Sequence, residues 1–276
     1  MKRASLGGCI AVCCVLALNF SVTPASAGER KPGPARASVV GGGVAEPANW
    51  PFVAAVFRKD RLHCGGSLIS PTKVLTAAHC VLGFNLGSFA VVVGRSNLRA
   101  EATGVSIGVI AGAVHPDYAN SGVHDMAVLT LAQPTTTTPV SLVSAAEDPV
   151  VSAPGQLGQV AGWGARNPFG FRLSSFLKET TERVRDSRRC LRAYSRDLFH
   201  PEAMICALGR RVRRFGRPPL HTSACTGDSG GPLVASTPAG PRQIGIVSYG
   251  GAICGLPGAP TVYSRVASGL DFIAAS

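Results

Sequence analysis

The stretch Gly227-Asp228-Ser229-Gly230-Gly231-Pro232 places one serine in a glycine-rich setting. A serine hydroxyl becomes a nucleophile only when a base removes its proton and hydrogen-bond donors receive the oxyanion that forms. The flanking glycines permit a tight turn that exposes the hydroxyl and directs backbone N–H groups towards a bound carbonyl. Because this pattern occurs in more than one fold, the chain position of the histidine base decides between the folds.

The candidate base lies upstream of Ser229. The stretch also fits Gly-x-Ser-x-Gly, the nucleophile elbow of α/β-hydrolases, in which the catalytic histidine follows the serine. The last histidine of this chain is His221, which excludes that fold. Only His79 follows an apolar segment and adjoins a cysteine, in Leu75-Thr76-Ala77-Ala78-His79-Cys80, where the ring could be held rigidly. We assign surface or structural roles to the other histidines, which are His63, His115, His124, His200 and His221.

Asp125 is the candidate for orienting this base. It opens the apolar segment Asp125-Met126-Ala127-Val128-Leu129, and a buried acid requires a polar partner. Taken alone, Asp125 would be interpreted as a turn residue at the start of a strand. Together with His79 and Ser229 it completes a possible nucleophile, base and orienting acid.

Short apolar segments bounded by turn residues recur from residue 39 onward, and many are rich in Val, Ile and Thr. This pattern is typical of strands and predicts an all-β barrel or sandwich. We predict a short helix over 267–275, a helical turn or surface loop in the charged region 174–198, and a boundary between two halves at 134–139. The predicted strands are 52–57, 73–78, 89–93, 105–113, 126–131, 159–161, 243–247 and 261–266.

Residues 1–27 have the features of a cleaved secretion signal. Lys2 and Arg3 precede the apolar run 6–20, and Ala25-Ser26-Ala27 has the small residues of a signal-peptidase site. The run is too short for a membrane anchor, which needs about 20 apolar residues. Residues 28–38 are polar, rich in Pro and Gly, and typical of a pro-segment. We therefore expect a secreted chain without a membrane anchor, whose mature part is 39–276, divided into 39–138 and 139–276.

The cysteines and the charge restrict the kinds of partner. Cys9, Cys13 and Cys14 leave with the signal, and six of the nine cysteines remain in the mature part. An even number of cysteines in an exported chain indicates disulfides, whose pairing the sequence leaves open. The mature part has no Cys-x-x-Cys or His-x-x-x-His pair, so we expect no metal site, and no feature suggests a cofactor. The net charge of +12 permits binding to anions, but the Arg-rich segments lack interleaved aromatics. We interpret them as solvated loops and expect no nucleic-acid partner.

Taken together, these segments resemble the chymotrypsin/trypsin family of serine proteases, from residue 39 to the C-terminus. The segments around His79, Asp125 and Ser229 match its three signature sites in the family's order. Val39-Val40-Gly41-Gly42, Gly162-Trp163-Gly164 and Ser248-Tyr249-Gly250 match further landmarks. The resemblance implies two antiparallel Greek-key β-barrels packed together, with a short C-terminal helix. It also implies the disulfides Cys64–Cys80, Cys190–Cys206 and Cys225–Cys254.

The resemblance further implies a secreted serine endopeptidase that is made as an inactive precursor. His79, Asp125 and Ser229 would be the catalytic residues, and the backbone N–H groups of Gly227 and Ser229 would form the oxyanion hole. The implied partners are polypeptide substrates and protein protease inhibitors, and the family's usual state is a monomer. The alternative is a catalytically silent family member that acts as a binding protein.

Activation and specificity would follow from further positions. Cleavage of the bond between Ser38 and Val39 would release the amino group of Val39, which would pair with Asp228. Because the residue before this bond is Ser38 and not Arg or Lys, the activating protease should not be a trypsin. The backbone of Ser248 and Gly250 would pair with an extended substrate.

The resemblance places the specificity pocket around Ser223, Gly250 and Thr261. Ser223 stands where trypsins carry Asp, which predicts a neutral preference. Gly250 leaves one wall of the pocket open, and Thr261 stands where chymotrypsin and trypsin carry Gly, which makes the pocket shallower. We therefore expect a Leu, Val, Met or Ala side chain before the cleaved bond.

Overall fold

Short, mostly antiparallel strands are the main secondary structure of the chain in the computed structural model, which describes residues 40–214 and 217–276. The predicted signal 1–27, the pro-segment 28–38 and Val39 lie outside these residues. The strands of the described residues are β1 (Gly43–Val44), β2 (Val53–Arg58), β3 (Arg61–Ser70), β4 (Lys73–Thr76), β5 (Phe89–Val93), β6 (Val105–Val114), β7 (Ala127–Leu131), β8 (Ser141–Leu142), β9 (Leu157–Gly162), β10 (Lys178–Val184), β11 (Met204–Gly209), β12 (Arg211–Arg214), β13 (Arg217–His221), β14 (Pro232–Thr237), β15 (Gly240–Tyr249) and β16 (Thr261–Arg265).

Strands β2 to β7 form a closed barrel in the order β2-β3-β4-β7-β6-β5. The ring closes because β2 pairs with both β3 and β5. The fourth strand of the set, β5, thus returns to lie beside the first, which is the Greek-key arrangement. Small and β-branched side chains such as Ala54, Ala55 and Val91 are completely buried, so both faces of β2 are packed: one against the narrow interior of the barrel and the other against its surroundings.

The second barrel repeats this order. Its strands run β9-β10-β11-β16-β15-β14, and pairings of β9 with both β10 and β14 close the ring. The short strand β1 pairs with β10, and β8 runs parallel to β15. The prediction of two antiparallel Greek-key barrels is therefore confirmed.

Helices are short and lie in the connections. The α-helices of the described residues are α1 (Tyr118–Ser121), α2 (Asp148–Val151), α3 (Ser187–Ala193) and α4 (Leu270–Ala275). A 3-10 turn over Val266–Gly269 leads into α4, so the predicted C-terminal helix is present. In the part of the chain that the structure describes, no helix has the length and apolar character needed to cross a bilayer.

The region 174–198, predicted to be a helical turn or a surface loop, contains the helix α3 but also the strand β10, which was not predicted. The strand alternates buried and less buried positions, but three of its four buried side chains, Lys178, Thr180 and Glu182, are polar. An alternation of apolar and polar residues is the sequence signal for a half-buried strand, and polar residues on the inner face remove that signal. Helix α3 follows, and the Asp186 carboxylate caps it by accepting from the Arg188 N–H.

Candidate active site

His79 lies in a 3-10 turn, Ala78–Cys80, immediately after β4. A disulfide joins Cys80 to Cys64 on β3, so the turn is fixed to two neighbouring strands of the first barrel. The His79 backbone N–H donates to Asp125 Oδ1 at 2.9 Å, and His79 Nδ1 lies 2.7 Å from Asp125 Oδ2. Because an ionised carboxylate only accepts hydrogen bonds, Nδ1 carries the proton and Nε2 is left free to act as a base.

A tight turn at His124 directs the Asp125 carboxylate towards the His79 ring. The preceding residue, His124, has a φ of 56°, which is unusual for a residue other than glycine, and Asp125 itself is 2% exposed. The Ser248 hydroxyl donates to Asp125 Oδ2 at 2.6 Å. The carboxylate therefore receives three hydrogen bonds, which together fix its orientation and that of the His79 ring.

Ser229 sits in the turn before β14. Gly227 and Gly230 on either side have φ values of 92° and 81°, a region that strongly favours glycine. The Gly65 N–H of the first barrel donates to the Ser229 carbonyl at 2.7 Å. A Cβ on Gly230 would come within 2.5 Å of the Gly65 carbonyl and 3.1 Å of the Ala77 nitrogen. The serine turn thus packs directly against the segment that carries His79.

The acid before this serine, Asp228, is completely buried. Its Oδ1 accepts from the Gly164 N–H at 2.8 Å and its Oδ2 from the Cys225 N–H at 2.9 Å. Burial raises the pKa of this carboxyl to about 6, although both backbone hydrogen bonds act in the opposite direction. Among the described residues, its hydrogen-bond partners are backbone N–H groups and include no cationic side chain. A negative charge on this carboxyl, behind the serine turn, therefore has no positively charged hydrogen-bond partner there.

A cavity of about 230 Å³ opens beside Ser229. We call the part lined by the buried residues Ser223 and Thr261, whose hydroxyl oxygens lie 2.8 Å apart, the deep end of the cavity, and the part lined by Ser248 and the exposed Gly250 its mouth. A Cβ on Gly250 would meet nothing closer than the Thr261 Cα at 3.9 Å, so this wall is open. The cavity can accept a side chain of moderate length.

The structure brings most of the residues singled out by sequence into two adjoining cavities. The first is the cavity beside Ser229, and the second contains His79 and Asp125; both are lined by Ser248 and Tyr249. Gly227 lies in the serine turn, whereas Val39 lies outside the described residues. The three disulfides of the structure pair Cys64 with Cys80, Cys190 with Cys206 and Cys225 with Cys254.

Sequence reasoning missed two features near these cavities. The rings of His115 and His124 stack with centroids 4.4 Å apart beside the turn that leads to Asp125. Burial is the main reason that the pKa of His115 is lowered, and His124 adds to the effect. The second feature is Glu182, a fully buried acid whose Oε1 accepts from the Ala224 N–H at 2.9 Å. The polar residues around it in the sequence gave no signal of burial.

The chain is similar to proteins of one known family. The trypsin family model matches residues 39–273. A trypsin from Saccharopolyspora erythraea is 35% identical over 237 residues, covering 85% of this chain and 96% of that protein. Brachyurin from Leptuca pugilator is 34% identical over 238 residues, with coverages of 85% and 96%. Glucanase inhibitor protein 3 from Phytophthora infestans is 34% identical over 214 residues, which is 76% of each chain.

The family match spans both barrels, and the two proteases among these relatives are matched over nearly their whole length. The fold is that expected for such a protein, with two closed six-stranded barrels and a short C-terminal helix. The chain therefore belongs to the trypsin family and is a serine-type endopeptidase.

Proposed function

We propose that His79, Asp125 and Ser229 are the catalytic triad of this endopeptidase. Ser229 Oγ attacks the carbonyl carbon of the substrate while His79 Nε2 takes its proton, and the same proton then passes to the leaving amine as the acyl-enzyme forms. Water repeats these steps to release the acid product. The hydrogen bonds from His79 to Asp125 support this assignment, because they leave Nε2 as the free nitrogen.

The oxyanion would be received by the backbone N–H groups of Gly227 and Ser229. The left-handed conformation of Gly227 supports this role, because it permits the backbone to turn within two residues. Removal of one such donor typically costs about 3–4 kcal/mol of transition-state stabilisation. The backbone of Ser248 and Gly250, at the mouth of the cavity, would pair with the substrate as an added strand.

The cavity beside Ser229 would hold the side chain before the cleaved bond, with a preference for Leu, Val, Met or Ala. The Ser223 hydroxyl donates to the Ala224 carbonyl and lies within hydrogen-bonding distance of Thr261. The two hydroxyls thus satisfy each other and offer no charge to a ligand. The Thr261 side chain occupies part of the deep end, which favours side chains of medium length.

We propose that the chain is exported and activated by two cleavages, the first after the signal 1–27 and the second after the pro-segment 28–38. The mature enzyme, 39–276, would comprise the halves 39–138 and 139–276. The new amino group of Val39 would pair with Asp228, whose buried carboxyl would gain a positive partner. A bridge between Val40 and Ser223 already brings this end of the chain to the wall of the cavity.

Hydrolysis of a panel of peptide amides by the form that begins at Val39 tests the function. The panel varies Arg, Phe, Leu, Val and Ala before the cleaved bond, and Ser229→Ala is the control. Cleavage after Leu, Val or Ala that requires Ser229 is expected at pH 7. Strict preference for Arg at that pH would contradict the assignment of the pocket. No cleavage by a folded protein with the correct amino terminus would favour a binding protein, and the name of the Phytophthora infestans relative shows that a family member can be named for inhibition.

A further inference from the structure

The cavity beside Ser229 has an acid directly behind its wall. Ala224 lines the cavity, and its N–H donates to Glu182 Oε1 at 2.9 Å. Glu182 is on the inner face of β10 and is completely buried, so its carboxyl lies inside the second barrel, behind the cavity wall. Ala224, the residue to which the Glu182 carboxyl is hydrogen-bonded, directly follows Ser223 of the deep end in the chain.

The other oxygen of this carboxyl is unsatisfied. Among the described residues, neither Glu182 Oε2 nor the Tyr263 hydroxyl has a partner in hydrogen-bond geometry, and both atoms are buried. The Tyr263 phenol nevertheless lies close enough to the Glu182 carboxyl and to the Thr261 side chain to interact with both. A buried polar atom without a partner is destabilising by itself, and a positive charge in the neighbouring cavity would stabilise the ionised form of this carboxyl.

The charge of Glu182 depends on the groups that surround it. Burial raises its pKa to about 8, and the nearby Asp228 carboxyl acts in the same direction. The Ala224 N–H, the Tyr263 phenol and, more weakly, the Arg185 guanidinium act in the opposite direction. Glu182 is therefore mostly a neutral acid at pH 7 and becomes a carboxylate as the pH rises through 8.

We propose that Glu182 determines specificity in this pocket, and that its carboxylate allows the pocket to accept Lys and Arg side chains in addition to apolar ones. A cation at the deep end would lie in a low-dielectric region beside the ionised carboxylate, where opposite charges attract strongly. An apolar side chain gains nothing from that charge. The proposal rests on the proposed function, because it assumes that the cavity beside Ser229 receives the side chain before the cleaved bond.

Comparison of two peptide amides that differ only in Lys or Leu before the cleaved bond tests this role. The ratio of their kcat/KM values cancels the titration of the catalytic groups, and kcat/KM reports ionisations of the free enzyme. With a pKa of about 8, the ionised fraction rises about thirtyfold between pH 6.5 and pH 9. The Lys-to-Leu ratio is expected to rise by about the same factor over that range.

Glu182→Gln should abolish this rise and leave the kcat/KM for Leu within about twofold, because the amide oxygen can still accept from Ala224 but cannot ionise. Glu101→Gln removes a carboxylate from an exposed loop and should retain the rise. A flat ratio in the wild type, or an unchanged rise in Glu182→Gln, would overturn the inference alone. Loss of cleavage of both peptides by the wild type would overturn the proposed function, and the inference with it.

A binding measurement keeps the test independent of turnover and of the folding of Glu182→Gln. Calorimetry on the Ser229→Ala protein with n-butylammonium, a mimic of the Lys side chain, should show about thirtyfold tighter binding at pH 9 than at pH 6.5. Near pH 7 binding should release almost one proton, because the ligand shifts Glu182 to its ionised form. Binding of equal strength at the two pH values, without proton release, would contradict the role of Glu182.

Discussion

In the wild type, ionisation of Glu182 should lower the free energy of unfolding as the pH rises towards about 8. Replacing Glu182 with glutamine should make the free energy of unfolding independent of this ionisation. The pKa of this carboxyl is raised from 4.5 to about 8 by burial inside the second barrel. Between these values the folded chain holds a proton that the unfolded chain has released. The free energy of unfolding must therefore fall as the pH rises through this window, and level off above about pH 8.

The size of the effect follows from the same two pKa values. A difference of one pKa unit corresponds to about 1.4 kcal/mol, and between pH 6.5 and pH 8.5 the folded and unfolded proton occupancies of Glu182 imply a loss of about 2 kcal/mol. The range begins above pH 6 because the buried carboxyl of Asp228, with a pKa raised to about 6, contributes a similar loss at lower pH. Glutamine fills nearly the same volume and accepts from the Ala224 N–H, but it does not titrate.

Urea unfolding at several pH values measures this difference, with the Ser229→Ala change in every protein to prevent self-digestion. The free energy of unfolding of the parent, minus that of the Glu182→Gln variant, should decrease by about 2 kcal/mol from pH 6.5 to pH 8.5. Glu101→Gln serves as the matched control, since it makes the same chemical change at an exposed position. A constant difference between parent and Glu182→Gln would refute the raised pKa and the electrostatic reasoning built on it.

Two further substitutions test the serine turn and the orienting acid. Gly164→Ala should destabilise the fold by at least about 2 kcal/mol and reduce activity, because its Cβ would lie 2.3 Å from Asp228 Oδ2. The control Gly108→Ala, whose Cβ would meet nothing within 4 Å, should change the midpoint of thermal unfolding little. Equal shifts of this midpoint in the two variants would contradict the predicted clash. Ser248→Ala removes the hydroxyl that donates to Asp125 at 2.6 Å but retains the backbone of residue 248. Steady-state kinetics should therefore show kcat reduced about tenfold with KM nearly unchanged. A change confined to KM would instead assign Ser248 to substrate binding alone.

The sequence by itself determined the fold class and the candidate chemistry of this protein. The order His79, Asp125, Ser229 separates this chain from the α/β-hydrolases, and these residues lie in local segments that can be recognised without any knowledge of distant contacts. The strand Phe89–Val93 was predicted with its observed bounds, since Val-rich segments are typical of strands wherever they pack.

Only the tertiary structure decided which polar residues are buried and what they face. Strand β10 was predicted as a turn or loop because Lys178, Thr180 and Glu182 conceal its alternation, and their burial depends on neighbours such as β9 and β11. Likewise, the hydrogen bond between Ala224 and Glu182 joins residues 42 positions apart. Burial and the resulting pKa shift come from the packing of the closed barrel around the carboxyl, and the local sequence does not encode that environment.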